Sequence, residues 1–412
     1  MAIKNDDKRI LLMLPYGSVG GMERLALTFY EYYKSLGYFV KAVKFIKLES
    51  DIINFGADEL FLSLKDFSGM SSQGRYLFYL RAPLALRKLI KNHKINYSIA
   101  FGDMANLFSS LTFTKEYKIG SIHSFKSIEL SSPSIFNKLT SIGYRSSYKN
   151  LDKLVCISKT VKEDLILKCR YRFENIEVIY NPHNIDSIRN KSYQKITDTK
   201  EEKLFQNEII LFVGRLSLAK APWHLVNAFK VLQEFRPDSL LVFIGDGESS
   251  VTKYLKNLIQ YLALDEKVIF LGRKDNPFIY LKQAKCIALT SNFEGTPNVI
   301  VEAIALGTPV VTSFCTAGIL ELMSVDETLC YYNEGILETE AGIITPNFYE
   351  GILDIPHSFE SIPSGKERLF AKGLEKILEA RANGISIMRK QDLLLKKFDL
   401  PTIAEQYLTT IN

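Results

Sequence analysis

Residues 291–311, SNFEGTPNVIVEAIALGTPVV, set two glutamates, Glu294 and Glu302, eight positions apart around a Gly-Thr-Pro-Asn turn. Thr296 is a good helix N-cap, Pro297 suits the first helical position and Gly307 a C-terminal stop, so the pattern predicts a helix from Pro297 to about Leu306. Glu294 then lies in the loop before the helix and Glu302 about one and a half turns inside it, so both can reach one ligand from different sides. Backbone N–H groups near Asn298 and Val299, at the start of that helix, offer an anion site between them. The plainer alternative is a capping carboxylate at Glu294 and a solvated helix face at Glu302. Against it, the neighbours of Glu302 from Val299 to Ala305 are all apolar, which leaves a charge there without a solvated face.

Other chemistry-bearing residues also follow apolar runs. FVGRLSLAKAPWHL places Arg215 directly after a strand-like run and Lys220 five residues later. Two cations at the carboxyl end of a strand can neutralise a diphosphate, Arg as a fork of donors and Lys as a point charge; the alternative is plain surface charge. GSIHSF leaves His123 at the end of an apolar run, a place for either a structural imidazole or a ligand contact. PYGSVGGMERLAL puts Gly17, Gly20 and Gly21 between a strand and a helix starting at about Met22, where backbone can approach an anion. Its spacing is not Gly-x-Gly-x-x-Gly, which weakens a dinucleotide reading.

Residues so placed need strands to carry them, and the chain alternates strand and helix signals throughout. RILLMLPYG, YFVKAVKFI, YSIAF, KIGSIH, KLVCIS and IEVIYNP read as strands of a first half. EIILFVG, SLLVFIGDG, KVIFLG, KCIALTS and TPVVTS read as strands of a second. Short apolar runs alternating with helical patterns imply βαβ units and parallel sheets. The expected architecture is α/β, with two doubly wound Rossmann-like domains facing across a cleft: 1–190, a polar linker at 191–207, and 208–395. In open sheets of this kind ligands sit at the carboxyl ends of the strands.

The 412 residues suit two domains. No apolar run reaches the ~18 residues of a membrane span, and the charged N-terminus is not a signal peptide, so a soluble cytoplasmic chain is expected. Five irregularly spaced cysteines imply neither a disulfide framework nor a zinc site. Residues 1–200 hold 31 Lys and Arg against 19 Asp and Glu, whereas residues 201–412 hold 21 against 27. A basic first half suits an anionic partner such as a membrane surface or a phosphorylated lipid, unless its lysines serve only solvation. RYLFYLRAPLALRK mixes cations with Tyr76, Phe78 and Tyr79 and reads either as a segment lying on a membrane or as a helix covering the sheet. No basic-aromatic nucleic-acid module is found.

Taken together, GGMERLAL, VGRLSLAK, FIGDGE, FLGR and SNFEGTPNVIVEAIALGTPVV resemble the retaining glycosyltransferases of family 4, which have the GT-B fold. The resemblance covers essentially the whole chain. FDLPTIAEQYLTTIN resembles the family's C-terminal helix, which would place about 396–412 back on the first domain. The resemblance implies that Arg215 and Lys220 hold the donor diphosphate and stabilise the leaving nucleotide. It further implies that Glu294 binds hydroxyls of the donor sugar and Glu302 those of the ribose. Gly295, Asn298 and Val299 would line the donor, Arg273 would lie near the base, His123 beside the sugar, and Gly20 and Gly21 under the phosphates. Catalytic roles fall to Glu294, His123, Arg215 and Lys220. No Asp-x-Asp motif is present, so neither metal nor other cofactor is expected.

The resemblance points to the branch that builds bacterial O-antigen, capsule or exopolysaccharide. The donor would be a UDP-hexose or UDP-N-acetylhexosamine, and the acceptor a glycan, commonly linked to undecaprenyl diphosphate. The chain departs from the family at KAPWHL, where Lys-Gly is common, and at TSFCTAGILELM, although Cys315, Gly318 and Glu321 remain. Two alternatives stay open: a UDP-sugar epimerase of similar shape, and a non-catalytic sugar-nucleotide-binding subunit.

Overall fold

Ile10 to Leu14 are each completely buried, as are Ile209 to Phe212 and Cys286 to Ala288. Such continuous burial belongs to strands covered on both faces, the condition of parallel sheets flanked by helices. The computed structural model describes residues 8–17, 21–49, 51–130, 135–294, 296–326, 328–331, 333–359 and 362–410. Contacts divide the chain into two units, Met1–Pro182 with Leu400–Asn412, and His183–Asp399.

In the first unit β1 (Arg9–Leu14), β2 (Phe39–Ile46), β3 (Glu59–Ser63), β4 (Tyr97–Phe101), β5 (Tyr117–Ile122), β6 (Lys153–Cys156) and β7 (Ile176–Val178) form one sheet. Its order is β3-β2-β1-β4-β5-β6-β7, parallel throughout. In the second unit β8 (Glu208–Val213), β9 (Ser239–Ile244), β10 (Val268–Gly272), β11 (Cys286–Leu289), β12 (Val310–Ser313), β13 (Leu337–Glu338) and β14 (Gly342–Thr345) form the other. Here the order is β10-β9-β8-β11-β12-β14-β13, with only β13 antiparallel among the described pairs. Both are doubly wound α/β sheets, and in each the order reverses beside the first strand, between β1 and β4 and between β8 and β11. In sheets of this kind ligands bind at such switch points, outside the carboxyl ends of the strands.

The unit boundary falls at Pro182/His183, earlier than residue 190, and residues 191–207 are not an unstructured linker. They hold the end of the helix Ile185–Ser192, capped by Asn184, and the helix Thr199–Leu204, whose first N–H groups bond Asp198. Glu201 on the latter takes Lys274 Nζ at 2.5 Å and the Tyr280 hydroxyl at 2.6 Å, which fastens this polar stretch to the second unit. Capping, ion pairs and two isolated buried side chains, Ile196 and Phe205, hold it, too few apolar positions for hydrophobic periodicity to register. The chain returns to the first unit at Leu400. The helix Leu400–Leu408 buries Leu400, Ile403, Ala404, Tyr407 and Leu408 in the core with Phe29 and Tyr33.

The segment RYLFYLRAPLALRK lies within the helix Ser72–Asn92, started by the Ser71 hydroxyl. Its inner face, with Ala82, Leu86 and Ile90, packs in the first unit's core. No helix among the described residues is long and apolar enough to cross a membrane.

Candidate active site

After β8 the chain runs through Gly214 and Arg215 to the helix Pro222–Leu232. This loop is stitched to the one after β9: the Leu216 N–H donates to the Asp246 carbonyl, and the Glu248 N–H donates to the Leu216 carbonyl, each at 2.9 Å. A Cβ at Gly247 would stand 2.0 Å from the Leu216 carbonyl oxygen, and one at Gly245 2.0 Å from that of Gly214. Glycine is therefore required at both positions of Gly-Asp-Gly for the two backbones to approach. The Gly245 N–H in turn reaches the Gly272 carbonyl at 2.9 Å, so the ends of β8, β9 and β10 are bonded in series.

Lys220 closes the β8 loop, its side chain folded back over Gly214, where an added Cβ would meet its Cε at 3.7 Å. The loop after β11 holds this segment at three points. Thr290 Oγ1 donates to the Ala221 carbonyl at 3.1 Å and Asn292 Nδ2 to that of Leu218 at 3.2 Å. The Asn292 N–H donates to the Ala219 carbonyl at 2.7 Å. From β12, Ser313 Oγ donates to the Ser291 carbonyl at 2.7 Å. Fixed in this way, Glu294 Oε1 accepts from Ser291 Oγ at 2.9 Å and forms an ion pair with Lys220 Nζ. Glu294 Oε2 takes no hydrogen bond from a described residue, which leaves it able to accept from a ligand hydroxyl. Cys315 is buried nearby, its thiol pushed up by burial and then by the Glu294 charge, with Lys220 opposing.

The next helix spans Asn298–Leu306, with Pro297 in the cap position and Gly307 ending it in the left-handed region at φ 72°. The expected cap at Thr296 is not made: its hydroxyl is buried without a hydrogen-bond partner among the described residues. Pro297 itself is extended, with ψ 108°, so helical dihedrals begin one residue later and the Thr296 side chain falls out of register with the first turn. From Val299 to Ala305 every residue is buried except Glu302, which is half-buried. Asn298 and Val299 open this helix, and its first-turn N–H groups lie immediately after the Glu294 loop. Arg215 and Arg273, following β8 and β10, are exposed. Neither forms an ion pair with a described residue.

In the first unit His123 follows β5. Ser121 Oγ donates to the Ala100 carbonyl at 2.8 Å and lies 2.8 Å from His123 Nε2. The hydroxyl's single proton is used on the carbonyl, so Nε2 carries the ring proton and Nδ1 keeps a lone pair. Burial, reinforced by the Lys126 charge, lowers the His123 pKa to about 3, so the ring is neutral at physiological pH. Gly21 begins the helix Gly21–Ser35, while Gly20 and Gly295 lie outside the described residues.

The structure thus joins Lys220 and Glu294 directly and places Asn298, Val299 and Glu302 on the helix that follows. Sequence reasoning missed Ser291 and Asn292, which position that pair; the only signal was a polar Ser-Asn step after an apolar strand. It also missed Lys126, buried between Asp103 at 2.9 Å and Glu129 at 2.5 Å, with the Tyr144 hydroxyl on Asp103 at 2.8 Å. Burial works against the Lys126 charge, but the two carboxylates outweigh it and raise its pKa. No group of three or more His, Cys, Asp or Glu among the described residues could hold a metal ion.

Comparison with known proteins matches residues 19–187 to the family described as Glycosyltransferase Family 4 and residues 194–335 to Glycosyl transferases group 1. An uncharacterized glycosyltransferase of Methanocaldococcus jannaschii is 27% identical over 59% of this chain and 62% of its own. A Campylobacter jejuni enzyme is 32% identical over 44% of this chain and 46% of its own. It is named N-acetylgalactosamine-N,N'-diacetylbacillosaminyl-diphospho-undecaprenol 4-alpha-N-acetylgalactosaminyltransferase. Each match spans less than two thirds of the relative's length. The crystal structure of Anabaena HepE in complex with UDP and glucose matches 97% of this chain and 98% of that one, with a TM-score of 0.69 and 18% identity, which is a likeness of fold. The chain therefore carries a glycosyltransferase family 4-type domain followed by a glycosyl transferases group 1-type domain, on the GT-B fold.

Proposed function

We propose that this chain moves a hexose or N-acetylhexosamine from a UDP-sugar to a lipid-linked glycan, with retention of configuration and without a metal, in assembly of a bacterial surface polysaccharide. The observation that carries the reading is Glu294, held by Ser291 and Lys220 at the switch point of the second sheet with one carboxylate oxygen left for a ligand. A diphosphate entering there would draw Lys220 toward itself and, with Arg215, spread the charge that builds on the leaving nucleotide. Glu294 would bind sugar hydroxyls and Glu302 the ribose, Arg273 would lie near the base, and His123 would offer a neutral acceptor to a hydroxyl. Retention rests on the family resemblance: the sugar passes through an oxocarbenium-like state while the departing phosphate takes the acceptor's proton. A two-carboxylate hydrolase mechanism fits poorly, since both glutamates lie in the second unit, where the nucleotide would bind. UDP is favoured by the UDP-bound HepE neighbour, and a lipid-linked acceptor by the Campylobacter relative's name. Work on such an acceptor would bring the chain to the cytoplasmic face of a membrane.

Thermal shift with UDP, GDP, ADP and UDP-sugars in the presence of a chelator tests this, because a ligand bound only by the folded state raises Tm. The expected outcome is a UDP-selective rise lost in Arg215→Ala, and sugar transfer lost in folded Glu294→Ala and Lys220→Ala. Interconversion of UDP-sugars without transfer would identify an epimerase instead.

A further inference from the structure

We infer that the outer face of the helix Ser72–Asn92 is a docking surface for an anionic lipid bilayer. A helix that covers a sheet normally turns its polar side outward. This one packs Ala82, Leu86 and Ile90 inward and still exposes Tyr76 by 67%, Leu77 by 43%, Leu80 by 55% and Leu84 by 64%. Positions 77, 80, 84, 88 and 91 follow one another at helical spacing along a single stripe, and they read Leu, Leu, Leu, Lys, Lys. Beneath the N-terminal end of the stripe, Phe78 meets Phe67 edge to face and Tyr79 lies tilted against it, so the leucines stand on a packed base.

Charge decides the occupant. The helix holds five cations, Arg75, Arg81, Arg87, Lys88 and Lys91, and no Asp or Glu. Arg75, Arg81, Lys88 and Lys91 are exposed. A second copy of the chain would bring like charges together along such a seam, whereas anionic head groups neutralise them while the leucines enter the acyl boundary. An apolar stripe running into a basic end is the pattern of a helix lying in an interface. The surface deepens the proposed function, since a lipid-linked acceptor lies at such an interface, yet the exposure and charge stand without that reading.

The test is flotation of the full chain with vesicles of phosphatidylcholine alone or mixed with phosphatidylglycerol. Parent protein is expected on the anionic vesicles only, and to be released at about 1 M salt, where the Debye length falls to about 3 Å. Leu77→Ser/Leu80→Ser/Leu84→Ser should weaken binding by about tenfold or more, from the apolar area withdrawn from lipid. Lys88→Glu/Lys91→Glu should weaken it on anionic vesicles through charge. All five positions are solvent-facing, so both variants should keep the parent's Tm and its UDP-induced shift. That shift also separates the two ideas: its absence in the parent counts against the nucleotide-sugar reading and leaves the vesicle result untouched. The docking surface is overturned by no vesicle binding in the parent, by binding that the leucine variant retains, or by a parent dimer that this variant converts to monomer without vesicle binding.

Discussion

Glu294 can serve a ligand only if its carboxylate is held, and two donors on one oxygen do this. On the proposed function a diphosphate would recruit Lys220 away, which would leave Ser291 as the main restraint on Glu294. Ser291 is almost fully buried, and its own carbonyl is fixed by Ser313. We predict that Ser291→Ala leaves UDP affinity within about twofold but cuts the extra affinity or turnover that the sugar brings by about tenfold, the size of one hydrogen bond to a charged group. Ser291→Thr should restore most of it. Calorimetric titration with UDP and with a UDP-sugar, compared between variants, measures this; equal losses for both ligands would refute it. Glu294 and Lys220 stand out in the sequence because charged residues next to buried strands are uncommon, and the structure pairs them. Ser291 was not, because a serine in a loop is ordinary until its hydrogen bond is seen.

The elements were readable where burial was continuous and not where it was partial. β1, β8 and β11 are apolar runs, whereas β3 is an edge strand with every residue half-buried. β14 is four residues long and begins at Gly342, where a Cβ would lie 2.0 Å from the Val310 carbonyl oxygen; its glycine is a steric need, not a turn signal. The segment at His183 shows another limit of pattern reading. The His183 N–H donates to the Phe398 carbonyl at 2.8 Å, and the two rings meet edge to face, pairing the strands of chain that begin and end the second unit. His183 Nε2 is buried without a hydrogen-bond partner among the described residues, and burial lowers its pKa to about 4. Between the unfolded value near 6.5 and about 4, the unfolded state binds a proton that the folded state does not, so stability falls as pH falls through that window. By pH 4.5 the loss amounts to about 2 kcal/mol. His183→Gln should therefore narrow the difference in Tm between pH 7 and pH 4.5, measured by circular dichroism. An unchanged difference would show that His183 does not resist protonation.

At the scale of the whole molecule, each unit has its own sheet and core, and the last described residues belong to the first unit despite their place in the chain. The alternation of strands and helices made the two sheets readable; the return of the C-terminus was foreseen by resemblance alone, since nothing in its apolar spacing names the unit it covers. Tyr407 is completely buried, with its ring centroid 4.7 Å from that of Phe29. Two hydrogen bonds tie the same helix down, from the Tyr33 hydroxyl to the Ala404 carbonyl at 2.8 Å and from Lys153 Nζ to the Gln406 carbonyl at 2.7 Å. Truncating the ring should cost about 3–5 kcal/mol in lost transfer energy and cavity, and it falls on the first unit only. The Tyr407 hydroxyl has no hydrogen-bond partner among the described residues, so Tyr407→Phe, which removes the polar atom and keeps the ring, should leave the transition unchanged or raise it. Scanning calorimetry of Tyr407→Ala should thus show an earlier transition for the first unit, while UDP still raises the transition of the second. A variant that lowered both transitions equally, or that lost the UDP effect, would mean that the two units do not unfold as separate bodies and that the nucleotide site depends on the first unit's integrity.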